Sequence, residues 1–312
     1  MEIKSIKIGG ITTKNNVFLA PLAGYSDASL RVVCSDYGAG LCFTEMVSAK
    51  GLKYSPKASS ELLFTYDEET PKAVQIFGSD PDIMGEIARS SYLEKFDIID
   101  INMGCPVPKI YSNGEGSALL KDPILASKII SSVKKSGKAV SVKFRIGLKE
   151  GEYVTKSFAK MCEDSGADMI TIHGRVRTAI YAGECNFDEI ANAKSAVKIP
   201  VIANGGIFSK EDADKMIEKT GADGVMIARG AMNNPQIFAD ILGVKPSFTL
   251  KEEILKHLRL LTERYGERTA VIFRKQMAFY LKGLKDSKKL KEKVFSATST
   301  KEIEDVILSI NL

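Results

Sequence analysis

A thiol, several amides, two kinds of cation and an imidazole recur along this chain, each at or just beyond a short apolar run. The most informative stretch is Asp100-Ile101-Asn102-Met103-Gly104-Cys105-Pro106. Before it, Phe96 to Asp100 has the apolar content of a buried strand, through Ile98 and Ile99. After it, Pro106 and Pro108 have no N–H with which to continue a ladder. Asn102 and Cys105 are therefore expected where a strand ends and a loop begins. Most cysteines are small core hydrophobes. A thiol held between a glycine and a proline at a strand end is instead presented for chemistry.

Other polar groups share this setting. Gln75 lies inside the run Ala73–Phe77. Lys143 and Arg145 alternate with Val142, Phe144 and Ile146. His173, one of two histidines, ends the run that starts at Asp168. Asn204-Gly205-Gly206 and Ala228-Arg229-Gly230 follow the last two runs, and Pro21, Leu22 and Ala23 follow the first. Each group alone has a structural explanation. Together they argue for one pocket, because a barrel core otherwise takes Val, Ile and Leu. Glycines after the last two strands let backbone N–H groups approach a phosphate, and Arg229 adds a charge-assisted bond. Two tight turns would use the same glycines. Lys143 suits an anionic ring, so a phosphorylated flavin is the cofactor these residues suggest.

The elements that must position these groups are legible as a rhythm. Val17–Ala20, Leu41–Thr44, Ala73–Phe77, Ile98–Ile101, Ala139–Phe144, Asp168–His173, Pro200–Ala203 and Gly224–Ala228 read as buried strands. Asp27–Tyr37, Pro81–Leu93, Pro123–Lys135, Glu152–Asp164, Phe187–Val197 and Lys210–Lys219 read as helices, with Asp80-Pro81 and Asp122-Pro123 as starts and Gly137, Gly166 and Gly221 as stops. A short helix is expected near Ser59–Leu63. Residues 1–16 read as a leader, with a hairpin at Gly9-Gly10. Alternation of eight strands with helices predicts an α/β fold of the (β/α)8 TIM-barrel type. The rival, a doubly wound sheet, usually carries a Gly-rich turn after its first strand; here that place holds Pro21-Leu22-Ala23-Gly24-Tyr25. Near Gly243 the pattern changes. Beyond Thr249 it is helical throughout, with Ile254, Leu258 and Leu261 on one face and many Lys and Arg elsewhere. Two domains are expected: a catalytic barrel over 1–243 and a C-terminal all-helical domain over 244–312.

Composition narrows the function. The formal charge of +5 permits a nucleic-acid partner without requiring one. Five cysteines with no C-x-x-C spacing argue against a zinc site and against a disulfide framework, so no metal and a reducing cytoplasm are expected. No apolar run approaches membrane-spanning length, and no membrane partner is expected.

The segments LAPLAGYSD (19–27), TEM (44–46), QIFG (75–78), DINMGCP (100–106), VKFRIG (142–147), HGRVRTAIYAG (173–183), ANGGI (203–207) and GVMIARGAMNNPQIF (224–238) resemble the tRNA-dihydrouridine synthase family in its bacterial, FMN-dependent form. They cover the barrel in order, and the helical tail with Arg274-Lys275 resembles that family's tRNA-binding domain. The resemblance implies reduction of the 5,6 double bond of specific uridines in tRNA, with FMN as cofactor and NADPH as co-substrate. It implies Cys105 as catalytic acid. It also implies cofactor contacts from Pro21, Leu22, Ala23, Gln75, Lys143, His173, Asn204, Gly205, Gly206, Ala228 and Arg229. Asn102, Arg145, Arg177, Tyr181, Arg274 and Lys275 are expected to touch the tRNA, and the protein is expected to be a monomer. The family more often has Asp at Gly206, Ser at Thr44, Gly at Ala228 and His at Gln276. A barrel flavoprotein acting on free pyrimidines, and a tRNA-binding protein without catalysis, are the alternatives. The basic tail speaks against the first and the intact Cys105, Lys143 and His173 against the second.

Overall fold

A computed structural model describes residues 1–310. A short hairpin comes first, β1 (Lys7–Ile8) and β2 (Ile11–Thr12), turning at Gly9-Gly10 with Gly9 at φ 56°. Eight parallel strands then close a barrel. They are β3 (Val17–Leu19), β4 (Leu41–Ser48), β5 (Lys72–Phe77), β6 (Ile98–Met103), β7 (Ala139–Arg145), β8 (Met169–His173), β9 (Val201–Asn204) and β10 (Gly224–Ile227). β10 pairs with both β9 and β3, so no edge is left open.

Alternation along the strands sorts the side chains. Val74, Ile76, Ile99, Ile101, Val140, Val142, Ile170 and Ile172 pack outward against the helices. Phe18, Leu41, Phe43, Ala73, Ile98, Ala139, Met169, Ile202 and Met226 fill the barrel interior, where Ile6 and Ile8 of the leader join them. The leader therefore packs into the barrel core. Five of the eight strands follow an interior apolar residue, two positions on, with a polar one: Gln75 after Ala73, Asp100 after Ile98, Ser141 after Ala139, Thr171 after Met169, Asn204 after Ile202. A period of two thus carries these five strands from core to site.

Helix starts follow local chemistry. Asp27, Asp80, Asp122, Asn186 and Ser209 each accept a backbone N–H of the helix they precede. Thr249 and Glu252 form a capping box at the head of Leu250–Tyr265. Several expected boundaries move. β4 runs on to Ser48 through an irregularity between Phe43 and Met46, because Thr44 Oγ1 takes the Gln75 N–H at 3.1 Å and carries the ladder past the polar residues. β6 extends to Met103, so Asn102 lies within the strand and only Cys105 lies in the loop. Two short helices, Ala49–Tyr54 and Pro56–Glu61, replace the single one expected near Ser59. The helix from Pro81 ends at Ala88, and the one expected from Glu152 begins at Thr155.

The last barrel-side helix, Ile237–Leu242, ends at Gly243 with φ 68°. Beyond it, helices over Leu250–Tyr265, Arg274–Tyr280, Ser287–Ser296 and Thr300–Leu308 enclose a core of their own, with Ile254, Leu258, Phe273, Met277, Val294 and Ile303. The junction with the barrel is polar as well as apolar. Tyr37 donates to Glu253, and Tyr66 donates to the Leu260 carbonyl at 2.5 Å. Lys256 pairs with Asp36 at 2.5 Å, and the Tyr37 ring meets Phe248 edge-on at 4.8 Å. Glu253 is 3% exposed, and burial pushes its carboxyl up to about 7. No helix among the described residues is long and apolar enough to cross a membrane.

Candidate active site

A cavity of about 320 Å³ opens at the C-terminal ends of the barrel strands. Pro21, Leu22 and Ala23 line it from β3, Gln75 from β5, and Asn102 and Cys105 from β6 and its loop. Lys143 and Arg145 line it from β7, and His173, Asn204, Ala228 and Arg229 from the remaining strands. A recess beside it is bounded by Gly205, Gly206, Phe208 and Arg229, and shares His173, Asn204 and Tyr181 with the main cavity. The fold thus brings together every residue expected at the cofactor.

The recess is a backbone cradle. Gly205 has φ 120°, and a Cβ there would stand 2.6 Å from Cys185 Sγ and 2.8 Å from His173 Cδ2, so only glycine fits. Gly206 follows at φ 70°. Asn204 Nδ2 donates to the Met226 carbonyl at 2.7 Å and fixes the start of this turn against β10.

The cavity is strongly cationic. Burial first, and Arg145 second, bring Lys143 down to about 8. Burial lowers Arg145 to about 10. Burial, followed by Arg145, Lys143, Arg175 and Arg229, holds His173 well below its ordinary value, so its imidazole is neutral. Burial raises Cys105, so at neutral pH it is a thiol that carries its proton. The arrangement offers a proton donor with positive charge beside it, since Lys143 and Arg145 stand on the strand paired with the one that leads to Cys105.

The Cys105 loop is held at both ends. Asn102 Oδ1 accepts the N–H of Gly104 at 3.1 Å and of Cys105 at 2.9 Å. The Cys105 carbonyl accepts from Ser117 N at 3.2 Å and Ser117 Oγ at 2.8 Å. Asn102 therefore faces the cavity with its amide already engaged, and it shapes the loop as much as it lines the wall.

Two arginines fasten the loop that follows β8. Arg145 Nε donates to the Gly104 carbonyl at 2.9 Å, and its Nη1 donates to Val176 at 3.1 Å and Ile180 at 2.9 Å. Arg175 donates to the carbonyls of Ala182 and Gly183. The Tyr181 ring is thereby suspended at the mouth, exposed, 4.8 Å from the Arg229 guanidinium and 6.0 Å from that of Arg145.

Three residues expected at the tRNA separate in space. Lys275 reaches the rim from the helical side, its Nζ 3.7 Å from the Tyr25 ring. Arg274, its neighbour, turns away and donates to the Ala297 carbonyl at 2.7 Å. Arg177 stacks on Tyr111 at 3.6 Å and does not line the cavity. Met46, Tyr25 and Arg175, to which the sequence assigns no role, border the cavity or its recess, and Asp100 lies beneath it. Strand alternation could have found Asp100, two residues before Asn102, and Arg175, two residues after His173. Nothing in the sequence signalled Tyr25, whose neighbour Lys275 lies in the other unit.

The family model described as "Dihydrouridine synthase (Dus)" matches residues 18–311. The tRNA-dihydrouridine synthase B of Pasteurella multocida is 38% identical over 95% of this chain and 93% of its own length. The probable tRNA-dihydrouridine synthase 1 of Synechocystis is 36% identical over 97% and 88%. Among solved structures, histamine dehydrogenase from Rhizobium matches with a TM-score of 0.59 at 14% identity, over 82% of this chain and half (50%) of that one. A morphinone reductase mutant in complex with tetrahydroNAD matches at 0.56 and 12% identity, over 77% and 90%. These two share the barrel fold. With the family model and these relatives spanning nearly all of it, the chain belongs to the dihydrouridine synthase family.

Proposed function

We propose that this protein reduces the 5,6 double bond of particular uridines in tRNA, with FMN as cofactor and NADPH as co-substrate. One observation carries the reading: a protonated, buried thiol and a cluster of cationic groups face one cavity at the barrel mouth.

The residues fit a phosphorylated flavin. The Gly205-Gly206 cradle beside Arg229 suits its phosphate, since a side chain at Gly205 would close the recess. Lys143 and neutral His173 suit the ring and its chain. Pro21, Leu22 and Ala23 give one wall without polar side chains. When bound, the flavin would supply reducing equivalents to C6 of the uracil, and NADPH would restore them.

This chain's residues do the rest. Cys105 delivers its proton to C5, on the side where negative charge develops. Lys143 and Arg145 stabilise that charge in a site largely removed from water. Arg145 and Arg175 hold the loop that carries Tyr181, and Tyr181 narrows the mouth through which a flipped-out base must enter. The helical unit over 244–312 docks the tRNA, with Lys275 at its contact with the barrel rim.

The test is direct. The purified protein, supplied with FMN and NADPH, should form dihydrouridine in tRNA transcribed without modification, read by mass spectrometry of nucleosides. Binding of FMN with no dihydrouridine in any tRNA offered would overturn the substrate. Failure to bind FMN would overturn the whole reading.

A further inference from the structure

Beneath the cavity floor lies a buried carboxylate that none of the steps above uses. Asp100 is fully buried in the barrel interior, between the apolar layer of Ile98 and the site layer of Asn102. No lysine or arginine pairs with it among the described residues at salt-bridge distance, and its partners are neutral. Ser141 Oγ donates to Oδ1 at 2.6 Å, and Gln75 Nε2 donates to Oδ2 at 2.6 Å. Gln75 Oε1 in turn accepts from Asn102 Nδ2 at 2.8 Å, and Asn102 Oδ1 accepts the N–H groups of Gly104 and Cys105.

These bonds all run in one direction. An ionised carboxylate can only accept. It therefore turns the NH₂ of Gln75 toward itself, which leaves the Gln75 oxygen for Asn102. The NH₂ of Asn102 is drawn to that oxygen, and its own oxygen is left facing the two backbone donors. A primary amide has nearly the same shape when flipped, so packing alone would not choose between its two orientations. The acceptor at the buried end does.

We propose that Asp100 is a positioning residue for Cys105: by fixing the polarity of the chain Gln75–Asn102, it holds the Cys105 loop in the geometry that aims the thiol into the cavity. The proposal rests on the reading of Cys105 as proton donor. It touches neither cavity nor cofactor itself, since Asp100 does not line the cavity.

The chain can be reversed and restored. Asp100→Leu removes the acceptor that faces the Gln75 NH₂, so Gln75, and with it Asn102, loses its guide. Asp100→Asn combined with Gln75→Glu exchanges amide and carboxylate across the same bond. Asn at 100 then donates to Glu at 75, Glu at 75 still accepts from Asn102, and Ser141 still has an acceptor. The readout is the alkylation rate of Cys105 by iodoacetamide in the full chain with FMN in excess, followed on the Cys105 peptide by mass spectrometry so that half-buried Cys185 does not interfere. Asp100→Leu should raise the rate about tenfold or more, as the loop opens once its buried N–H groups lose their acceptor. The double variant should be alkylated at the wild-type rate. If Asp100→Leu does not fold, the double variant must still fold and be alkylated like the wild type. A wild-type rate in Asp100→Leu, or a double variant that fails to restore either the fold or the rate, overturns the proposal. Alkylation needs neither turnover nor tRNA, so it judges the relay even if the function proposed above is wrong.

Discussion

Cys105 and Lys143 sit in one cavity with opposite assignments, and each can be removed without removing the other. Cys105→Ala should keep bound flavin and its reduction by NADPH, because in the reaction proposed above the thiol supplies only a proton. Reoxidation of the reduced enzyme by tRNA should slow by about 100- to 10,000-fold, the usual contribution of a general acid. An unchanged single-turnover rate would return Cys105 to a packing role. Lys143 sets a pH limit. It is a cation below about 8 and neutral above, since burial and Arg145 have lowered it. Affinity for FMN is therefore expected to hold near neutrality and to weaken as pH rises through about 8. Lys143→Arg should move that fall to higher pH, because a guanidinium keeps its proton. Fluorescence titrations of FMN at stepped pH would show it, and a flat wild-type profile would remove Lys143 from the cofactor.

At the scale of elements, the Cys105 loop depends on the turn beneath it. Gly116 opens the 3-10 turn Gly116–Lys121 with φ 61°, and a Cβ there would stand 3.0 Å from the Cβ of Cys105. Gly116→Ala should cost about 1–2 kcal/mol from its left-handed backbone, and should lower tRNA turnover more than flavin binding. Urea unfolding and flavin titration of the same variant would separate the two effects. Elements were the most legible level of the sequence, for a physical reason. In a parallel barrel the outward face is covered by helices, so each strand is an apolar run bounded by turns. Cys105, Lys143, His173 and Asn204 could be placed because strand ends on such a barrel point into one mouth. β4 outruns its apolar stretch because, although Thr44 and Glu45 break that stretch, a cross-strand bond from Gln75 rather than hydrophobicity carries the strand on. The destinations of Arg177 and Arg274 were not legible at all. A guanidinium on a long stem settles wherever a ring or carbonyl is free, and Tyr111 and Ala297 are tertiary neighbours.

At the scale of the molecule, the neighbouring cations Arg274 and Lys275 divide their work between two units. Lys275→Ala should weaken tRNA binding and reduce its salt slope by about 0.7–0.9, the value of one phosphate contact, with little change in stability. Arg274→Ala should do the reverse. It leaves the Ala297 carbonyl without its donor, should cost about 1–3 kcal/mol, and should leave the salt slope alone. Titrations at several salt concentrations together with thermal melts decide this, and equal salt effects from both residues would contradict the placement.

The junction of Tyr37 with Glu253 bears on how such proteins can be recombined. A side chain from the barrel and one from the helical unit, 216 positions apart, hydrogen-bond to each other where water does not reach. Either one, transplanted alone, would leave a buried polar group without a partner. A helical unit grafted from a relative onto this barrel would therefore have to bring a matching donor–acceptor pair, and chimeras that exchange residues 244–312 without changing position 37 should aggregate or refuse to fold. Tyr37 and Glu253 are thus a compatibility code between the barrel and the helical unit.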